Sequence, residues 1–205
     1  MTHVNGRIEA FILAGGESSR MGRDKALLEL EGTALIVRAT RLVESAANRC
    51  SVVGDSVRLE GLELDVIEDE FPGAGPLGGI ATALRASGAE WNLIVACDLP
   101  YLTGQWLEFL IGRAVRSDAD AVLPMNERGA EPLCAMYHKR AEDAIRAALD
   151  RGVRKVTDGL AEVRIDFVEP AEWKGFDSDG LLFKNMNSPA DYEEAKSRLD
   201  GRPKR

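Results

Sequence analysis

The sequence has few cysteines, no long apolar run, and fewer basic than acidic residues. Its 205 residues include 34 Asp and Glu against 26 Lys and Arg, which gives a formal net charge of −8. Non-specific binding to nucleic acid or to an anionic membrane depends on an excess of basic residues, so we expect neither partner. No repeat or flexible linker divides the chain. We therefore expect one domain over residues 1–200 and a flexible basic tail at 201–205.

The scarcity of reactive side chains limits the kinds of catalytic and metal site that the chain can form. Cys50, Cys97 and Cys134 lie far apart in apolar segments, which indicates reduced structural thiols and a reducing, cytoplasmic compartment rather than a metal site. The apolar run Ile8–Leu13 is too short for the core of a signal peptide or for a membrane span. His138 has no matched Ser or Cys nucleophile, so the sequence does not support a catalytic triad.

Strand-like and helix-like segments alternate along the chain. Apolar runs predict a buried first strand at Ile8–Leu13 and a central strand at Trp91–Ala96, and helical spacing predicts an amphipathic helix over Thr33–Ala47. Further strands are predicted at 51–54, 64–67, 121–124, 133–137 and, nearer an edge, 163–168, with helices at 77–86, 106–115, 141–149 and after Ser188. This alternation predicts an α/β domain with a mostly parallel sheet.

Open sheets of this kind bind ligands beyond the carboxyl ends of their strands. The loops to consider follow Leu13, Ile67, Ala96 and Phe183.

The loop after the first strand has the composition of a phosphate-binding loop. It does not match a P-loop, because five residues separate Gly16 from Gly22 and Arg23 follows. A plain surface loop would not require both Arg20 and Lys25. We expect backbone N–H groups of residues 14–17 to contact a nucleotide, while Arg20 and Lys25 hold its phosphates.

A second glycine-rich segment, Gly73–Gly78, satisfies the G-x-G-x-x-G pattern of dinucleotide-binding proteins, and Asp98 lies at the spacing expected of a ribose-binding acid. Pro76 removes one of the N–H donors that such a turn would offer. We interpret Pro76 as the first residue of a helix, with glycines that allow a strand or a ligand to approach closely.

Asp98 follows the predicted central strand directly, and Leu99-Pro100 ends that strand. A carboxylate at such a position is costly unless a cation or hydrogen-bond donors face it. Because Mg²⁺ favours one or two carboxylates together with waters and phosphate oxygens, Asp98 is the candidate metal ligand. The alternative is a helix or turn cap near Thr103.

Two other polar positions follow predicted elements. Asp69 ends a short strand and suits either a hydrogen bond from a ribose or base, or an outer-shell contact to a metal. Asn185 and Asn187 lie where the last helix begins. Helix capping accounts for Ser188, and it is also an alternative role for Asn187.

Taken together, the motifs resemble those of the molybdenum cofactor guanylyltransferases, which are MobA-like nucleotidyltransferases. The matching segments are Leu13–Gly16, Arg20–Gly22, Asp24-Lys25, Leu28–Gly32, Val66–Asp69, Gly75–Gly79, Cys97–Pro100 and Asn185–Pro189. They occur in the family's order and span nearly the whole chain. The resemblance implies a three-layer α/β/α domain that is GT-A-like and Rossmann-like. Gly15-Gly16 is similar to the guanylyltransferase form, whereas related cytidylyltransferases tend to have alanine first.

The resemblance also implies residue roles. Leu13, Ala14 and Gly15 would contact the guanine nucleotide, and Lys25 would bind its phosphates. Asp69 would lie in the nucleotide site, and Asp98 would bind both Mg²⁺ and the nucleotide. Asn185 and Asn187 would line the acceptor side. Arg20 and Lys25 would stabilise the leaving pyrophosphate, so that Arg20, Lys25 and Asp98 form the catalytic set. Where the family often has a polar residue after its second strand, this chain has Gly54 followed by Asp55.

The implied reaction is Mg²⁺-dependent transfer of GMP from GTP to the terminal phosphate of molybdopterin-bound molybdenum cofactor, with release of pyrophosphate. Proteins that deliver the cofactor, and molybdoenzymes that receive it, would be partners of a monomer or weak homo-oligomer. Two alternatives remain open at this point. One is the same fold acting on CTP or a sugar phosphate, and the other is a non-catalytic nucleotide-binding module.

Overall fold

The computed structural model describes residues 8–15, 24–47 and 49–200. Its strands are β1 (Ile8–Leu13), β2 (Glu29–Leu30), β3 (Thr33–Ala34), β4 (Cys50–Gly54), β5 (Val66–Glu68), β6 (Trp91–Ala96), β7 (Ala121–Asn126), β8 (Gly129–Ala130), β9 (Cys134–His138) and β10 (Ile165–Val168). Its α-helices are α1 (Leu35–Glu44), α2 (Pro76–Ala86), α3 (Gly104–Ala114), α4 (Glu142–Asp150), α5 (Val156–Gly159), α6 (Pro170–Trp173) and α7 (Pro189–Asp200). Short 3₁₀ helices lie at Lys25–Leu27, Lys139–Ala141 and Lys174–Phe176.

The main sheet is mostly parallel. Its strand order is β10–β7–β9–β6–β1–β4–β5, with β8 paired to β7. The pairs β6–β1, β1–β4, β4–β5 and β10–β7 are parallel, whereas β9 is antiparallel to both of its neighbours. The carboxyl ends of β1, β4, β5, β6 and β7 therefore lie at the same edge as the amino end of β9. We call this the site edge.

Helices cover both faces of the sheet because successive strand residues point in opposite directions. In β1, Ala10 and Ile12 face a core shared with α1, α3 and α6, whereas Phe11 and Leu13 face a core shared with α2, α4 and α5. Both layers are apolar, and β1 is buried between them from Ala10 onward. The predicted three-layer α/β fold is confirmed, as are the central place of β6 and the edge place of β10.

A third, smaller cluster joins α7 to the β2–β3 ribbon. Its buried members are Leu28, Leu30, Leu35, Met186, Ala195 and Leu199. Tyr192 adds a hydrogen bond from its hydroxyl to the Glu29 carbonyl oxygen at 2.8 Å. Within the described ranges, no helix is both long enough and apolar enough to cross a membrane.

Most predicted elements lie within two residues of their observed bounds, but the predicted helix over Thr33–Ala47 is wrong at both ends. Thr33–Ala34 is a strand, and the helix runs only from Leu35 to Glu44. A two-residue turn joins β2 to β3, and both of its residues have positive φ, 51° at Glu31 and 72° at Gly32. Such turns match the twist of a hairpin, so the chain pairs with itself before the helix begins.

The expected strand end at Phe183 is also wrong. Asp177 Oδ1 accepts hydrogen bonds from the backbone N–H groups of Leu181 and Leu182, and this folds the segment into turns. Phe183 is held by ring contacts instead, with its centroid 4.9 Å from that of Trp173 and 5.5 Å from that of Trp106. The segment that follows still reaches the site edge, but as a loop.

Candidate active site

The start of the first loop leaves the sheet between the ends of β4 and β6. The Ala14 N–H donates to the Val53 carbonyl at 2.9 Å, and the Cys97 N–H donates to the Leu13 carbonyl at 3.4 Å. Gly54 fits closely here, because a Cβ at this position would lie 3.3 Å from the Ala14 Cβ. Leu13, Ala14 and Gly15 thus stand at the site edge as expected. Arg20 and the glycines at 16 and 22 lie outside the described residues.

Lys25, Asp98 and Asn187 form one polar cluster, although they are far apart in sequence. The Lys25 ammonium donates to Asp98 Oδ2 at 2.6 Å and to Asn187 Oδ1 at 2.9 Å. The side chains of Lys25 and Asp98 are only 16% and 19% exposed, so solvent screens this ion pair weakly. The Met186 N–H donates to the Asp98 carbonyl at 3.0 Å, which brings the Asn185–Asn187 loop to the end of β6.

Asp98 is not the cap of the next helix. Thr103 caps α3 itself, since its Oγ1 accepts a hydrogen bond from the Trp106 N–H at 3.3 Å. The Asp98 carboxylate therefore has no local helix to stabilise, and Lys25 provides its counter-charge.

The segment that carries Lys25 is attached to the β4–β5 connection. Asp24 Oδ1 caps the 3₁₀ helix by accepting from the Ala26 N–H, while Asp24 Oδ2 accepts from Arg58 Nε and Nη2 at 2.8 and 2.6 Å. Asp55 closes the turn that presents Arg58, because its Oδ1 accepts from the N–H groups of Val57 and Arg58. Sequence reasoning missed Arg58, since no local pattern links it to a residue 34 positions away.

Asp69 is oriented by α2. Its Oδ1 accepts from the Phe71 N–H at 2.9 Å and from the buried Thr82 hydroxyl at 3.0 Å. Its other oxygen, Oδ2, would lie 3.8 Å from a Cβ placed on Gly15, so the carboxylate faces the first loop across the ends of β1 and β5. Thr82 was not predicted either, since a threonine in an apolar helix has no distinguishing sequence signal.

The glycines around α2 allow close packing. Pro76 opens α2 after Gly75, whose φ is 69°, as the sequence predicts. A Cβ on Gly79 would lie 3.2 Å from Leu13 Cδ2, and one on Gly78 would lie 2.9 Å from the Phe71 Cβ. Gly78, the last glycine of the G-x-G-x-x-G match, therefore allows tight contact of α2 with the Asp69 loop, and the neighbouring Gly79 allows tight contact with β1.

The two asparagines before α7 have different surroundings. Asn187 contacts Lys25, and its N–H donates to Asp191 Oδ2 at 3.0 Å. Ser188 caps α7 by accepting from the Asp191 N–H, as the sequence predicts. Asn185 Oδ1 is buried and has no hydrogen-bond partner among the described residues. A donor from a ligand would satisfy it, because a buried polar oxygen is costly when left unpaired.

The described side chains offer no activated nucleophile at the site edge. Burial raises the pKa of the Cys97 thiol to about 12, with the adjacent Asp98 carboxylate acting in the same direction. Burial likewise raises the pKa of Cys50 and of Cys134 to about 12, and all three thiols are free. His138 ends β9, which runs antiparallel to its neighbours, so it lies at the opposite edge of the sheet.

A divalent cation fits the donor set at Asp98. The described residues contain no group of three or more His, Cys, Asp or Glu side chains arranged to hold a metal ion. Mg²⁺ does not require such a cage, since it binds through one or two carboxylates with waters and phosphates. Asp98 already holds a cation, the Lys25 ammonium, against Oδ2. A hydrated metal ion would bind the same carboxylate.

Comparisons with known proteins show what the whole chain is similar to. The profile of the MobA-like NTP transferase domain matches residues 10–164. A probable molybdenum cofactor guanylyltransferase of Carboxydothermus hydrogenoformans is 34% identical over 183 residues, covering 89% of this chain and 92% of its own. One of Bacillus cereus is 30% identical over 197 residues, covering 93% and 96%. The crystal structure of molybdopterin-guanine dinucleotide biosynthesis protein A from Archaeoglobus fulgidus superposes with a TM-score of 0.84 at 27% identity, covering 95% of this chain and all of that one. The chain belongs to the MobA-like NTP transferase family.

Proposed function

We propose that this protein transfers GMP from GTP to the terminal phosphate of molybdopterin-bound molybdenum cofactor and releases pyrophosphate. The observation that carries the proposal is the Lys25 ammonium, held between Asp98 and Asn187 where the Asp24-Lys25 segment, the end of β6 and the Asn185–Asn187 loop meet. The names of the relatives support this choice of substrates.

The site edge divides into two halves at Asp98. On the β1–β4–β5 side, Leu13, Ala14 and Gly15 offer backbone groups to the nucleotide, and Asp69 faces them with a carboxylate that accepts from the ribose or base. On the other side lie β9 and β7, and Asn185 and Asn187 line this acceptor half. Asn187 touches Lys25, so the two halves share one cation.

The reaction needs placement and charge rather than a protein nucleophile. An oxygen of the acceptor phosphate forms a bond to the α-phosphorus of GTP, and the bond from that phosphorus to the bridging oxygen of the β-phosphate breaks. The electron pair leaves with pyrophosphate. Lys25 neutralises charge on the transferring and leaving phosphates, and Arg20, predicted for the same task, precedes it by five residues in the sequence. Asp24 and Arg58 hold Lys25 in position.

Asp98 would hold Mg²⁺. Bound there, the ion supplies Lewis-acid neutralisation of phosphate oxygens. Asp98 also orients Lys25, because the carboxylate and the ammonium are hydrogen-bonded at 2.6 Å. Loss of Asp98 would therefore remove a metal ligand and one of the contacts that orient the lysine at the same time.

The direct test measures pyrophosphate released from GTP with the molybdopterin cofactor as acceptor. We expect Lys25→Ala and Asp98→Ala each to lower kcat by about 10²–10³-fold or more, the scale for losing one group that stabilises transition-state charge. Arg49→Ala and Asp65→Ala are matched controls, because this ion pair is exposed, has its atoms 3.0 Å apart, and lies just before β4 and β5, at the edge opposite the site. Near-normal turnover of folded Lys25→Ala or Asp98→Ala would refute the role given to that residue.

Nucleotide choice is tested without turnover. Thermal unfolding with GTP, CTP, UTP or ATP, each with Mg²⁺, compares ligands by the free energy they add to the folded state. A ligand at a hundred times its dissociation constant adds about 2.7 kcal/mol. We expect GTP to raise the melting temperature most. A larger effect of CTP or UTP would overturn the choice of guanine, and GTP binding without pyrophosphate release would favour a non-catalytic binding module.

A further inference from the structure

Glu131 lies at the site edge, on the side of Asp98 away from the end of β1. In the antiparallel pair of β6 and β9, Val95 is opposite Cys134, and the Ala96 N–H donates to the Leu133 carbonyl at 2.8 Å. The chain turns between Glu131 and Cys134, whose N–H donates to the Glu131 carbonyl at 3.3 Å, so Glu131 directly precedes the end of β9 that lies beside the Asp98 end of β6. The Asp98 carboxylate accordingly contributes to the raised pKa of Glu131, whose first cause is burial.

The Glu131 carboxyl group is held in one orientation. Asn126, the last residue of β7, donates from Nδ2 to Glu131 Oε1, and the Arg128 N–H fixes the Asn126 amide by donating to its Oδ1 at 2.7 Å. The Glu131 N–H donates to the Pro124 carbonyl at 2.8 Å, which anchors the backbone. These contacts engage Oε1 and leave Oε2 as the oxygen that can meet a ligand.

We propose that Glu131 is a specificity residue for the acceptor and accepts a hydrogen bond from an N–H group of its heterocycle. The inference rests on the proposed function, in which the nucleotide occupies the β1–β4–β5 half and the second substrate the β9–β7 half. A carboxylate only accepts hydrogen bonds, and it repels phosphate. It therefore pairs with the neutral, N–H-bearing part of the acceptor, which in a pterin is the ring and its amino group.

A purely structural role for the Asn126–Glu131 contact makes a different prediction. A contact that only closes the β7–β9 connection would affect stability and both substrates alike. A recognition contact affects the acceptor alone, because β6 lies between β9, which Glu131 precedes, and the β1–β4–β5 half. The ratio of the two KM values, rather than activity, is therefore the informative quantity.

The experiment compares wild type, Glu131→Gln and Glu127→Gln. Glutamine keeps an oxygen for Asn126 but replaces the ligand-facing oxygen by an NH₂ group. We expect Glu131→Gln to raise the acceptor KM by about 10- to 100-fold, the range for one hydrogen bond to a charged group, and to leave the GTP KM within about twofold. Glu127 is an exposed carboxylate in the same connection, so Glu127→Gln should change neither. A fluorescence titration of the acceptor without GTP should show the same loss of affinity.

The outcomes separate the two proposals. Unchanged acceptor KM and affinity in folded Glu131→Gln would overturn the role of Glu131 while leaving the proposed function intact, and so would an equal rise in both KM values. Failure of the wild type to use GTP with this acceptor would overturn both. If Glu131→Gln does not fold, Glu131→Asp serves in its place, since it keeps the charge but withdraws it by one methylene. A rise in the acceptor KM alone supports the inference, whereas an unchanged acceptor KM refutes it.

Discussion

Replacing Thr82 by valine tests whether α2 orients the carboxylate of the nucleotide half. Thr82 is fully buried, and its hydroxyl donates to Asp69 Oδ1 at 3.0 Å while accepting from the Glu70 N–H at 3.1 Å. Valine has nearly the same shape but cannot make either bond. Asp69 Oδ1 then keeps only the Phe71 N–H, and the carboxylate loses the contact that ties it to the helix.

The size of the effect follows from these two bonds. A hydrogen bond to a charged group contributes about 1.5–3 kcal/mol, and the second bond adds a smaller amount because Glu70 is exposed and water can reach its N–H. The extra apolar methyl of valine offsets part of this loss, so we expect a net destabilisation of about 2 kcal/mol. For a chain of this length, this lowers the melting temperature by about 4–8 °C. A less ordered Asp69 should weaken GTP binding by about threefold to tenfold, or roughly 0.7–1.4 kcal/mol.

Thermal unfolding and a GTP titration measure both quantities, and Thr82→Ser is the matched control. Serine keeps the hydroxyl and loses one methyl group, which costs about 1 kcal/mol of stability. We therefore expect Thr82→Ser to be mildly destabilised but to bind GTP like the wild type. If the valine and serine variants bind GTP equally well, Thr82 does not orient Asp69 and the reasoning fails.

Two further predictions concern packing and pH. A Cβ on Gly159 would lie 2.6 Å from Leu77 Cδ2, so Gly159→Ala should lower the free energy of unfolding by about 1–3 kcal/mol in urea titrations. Gly175 has open space around it, so the control Gly175→Ala should change the free energy of unfolding by no more than about 0.5 kcal/mol. Equal values for the two variants would contradict the packing argument. The Arg164 guanidinium, hydrogen-bonded to Asp120, lowers the pKa of that carboxyl from 3.8 to about 2, so the stability it adds is present above pH 4 and is lost as the pH falls towards 2. Asp120→Asn should accordingly cost about 1 kcal/mol at pH 7, a modest value because the arginine is exposed. The cost should be clearly smaller at pH 2, where the folded carboxyl is half protonated, and an undiminished deficit at pH 2 would exclude this linkage.

The positions of most elements could be predicted because their signals are local. The apolar run Trp91–Ala96 and the helical spacing after Pro76 depend on neighbouring residues only, and both elements are observed where they were predicted. Pairing direction has no such signal, since an apolar strand packs equally well in either direction. The antiparallel course of β9, which carries Glu131 to the site edge, was therefore not predicted. The β2–β3 hairpin was missed because its strands have only two residues each.

The sequence by itself determined which charged residues follow strands: Lys25 follows the loop after β1, and Asp98 directly follows β6. Glycines, Pro76 and the order of motifs were sufficient for the fold class and the family. Only the tertiary structure decided that the Lys25 ammonium lies between Asp98 and Asn187, residues 73 and 162 positions away. It also decided that Arg58 contacts Asp24, that Thr82 contacts Asp69 and that Asn126 contacts Glu131. Contacts of this kind depend on strand order and chain crossing, which are set by the packing of the whole domain and not by any local pattern of residues.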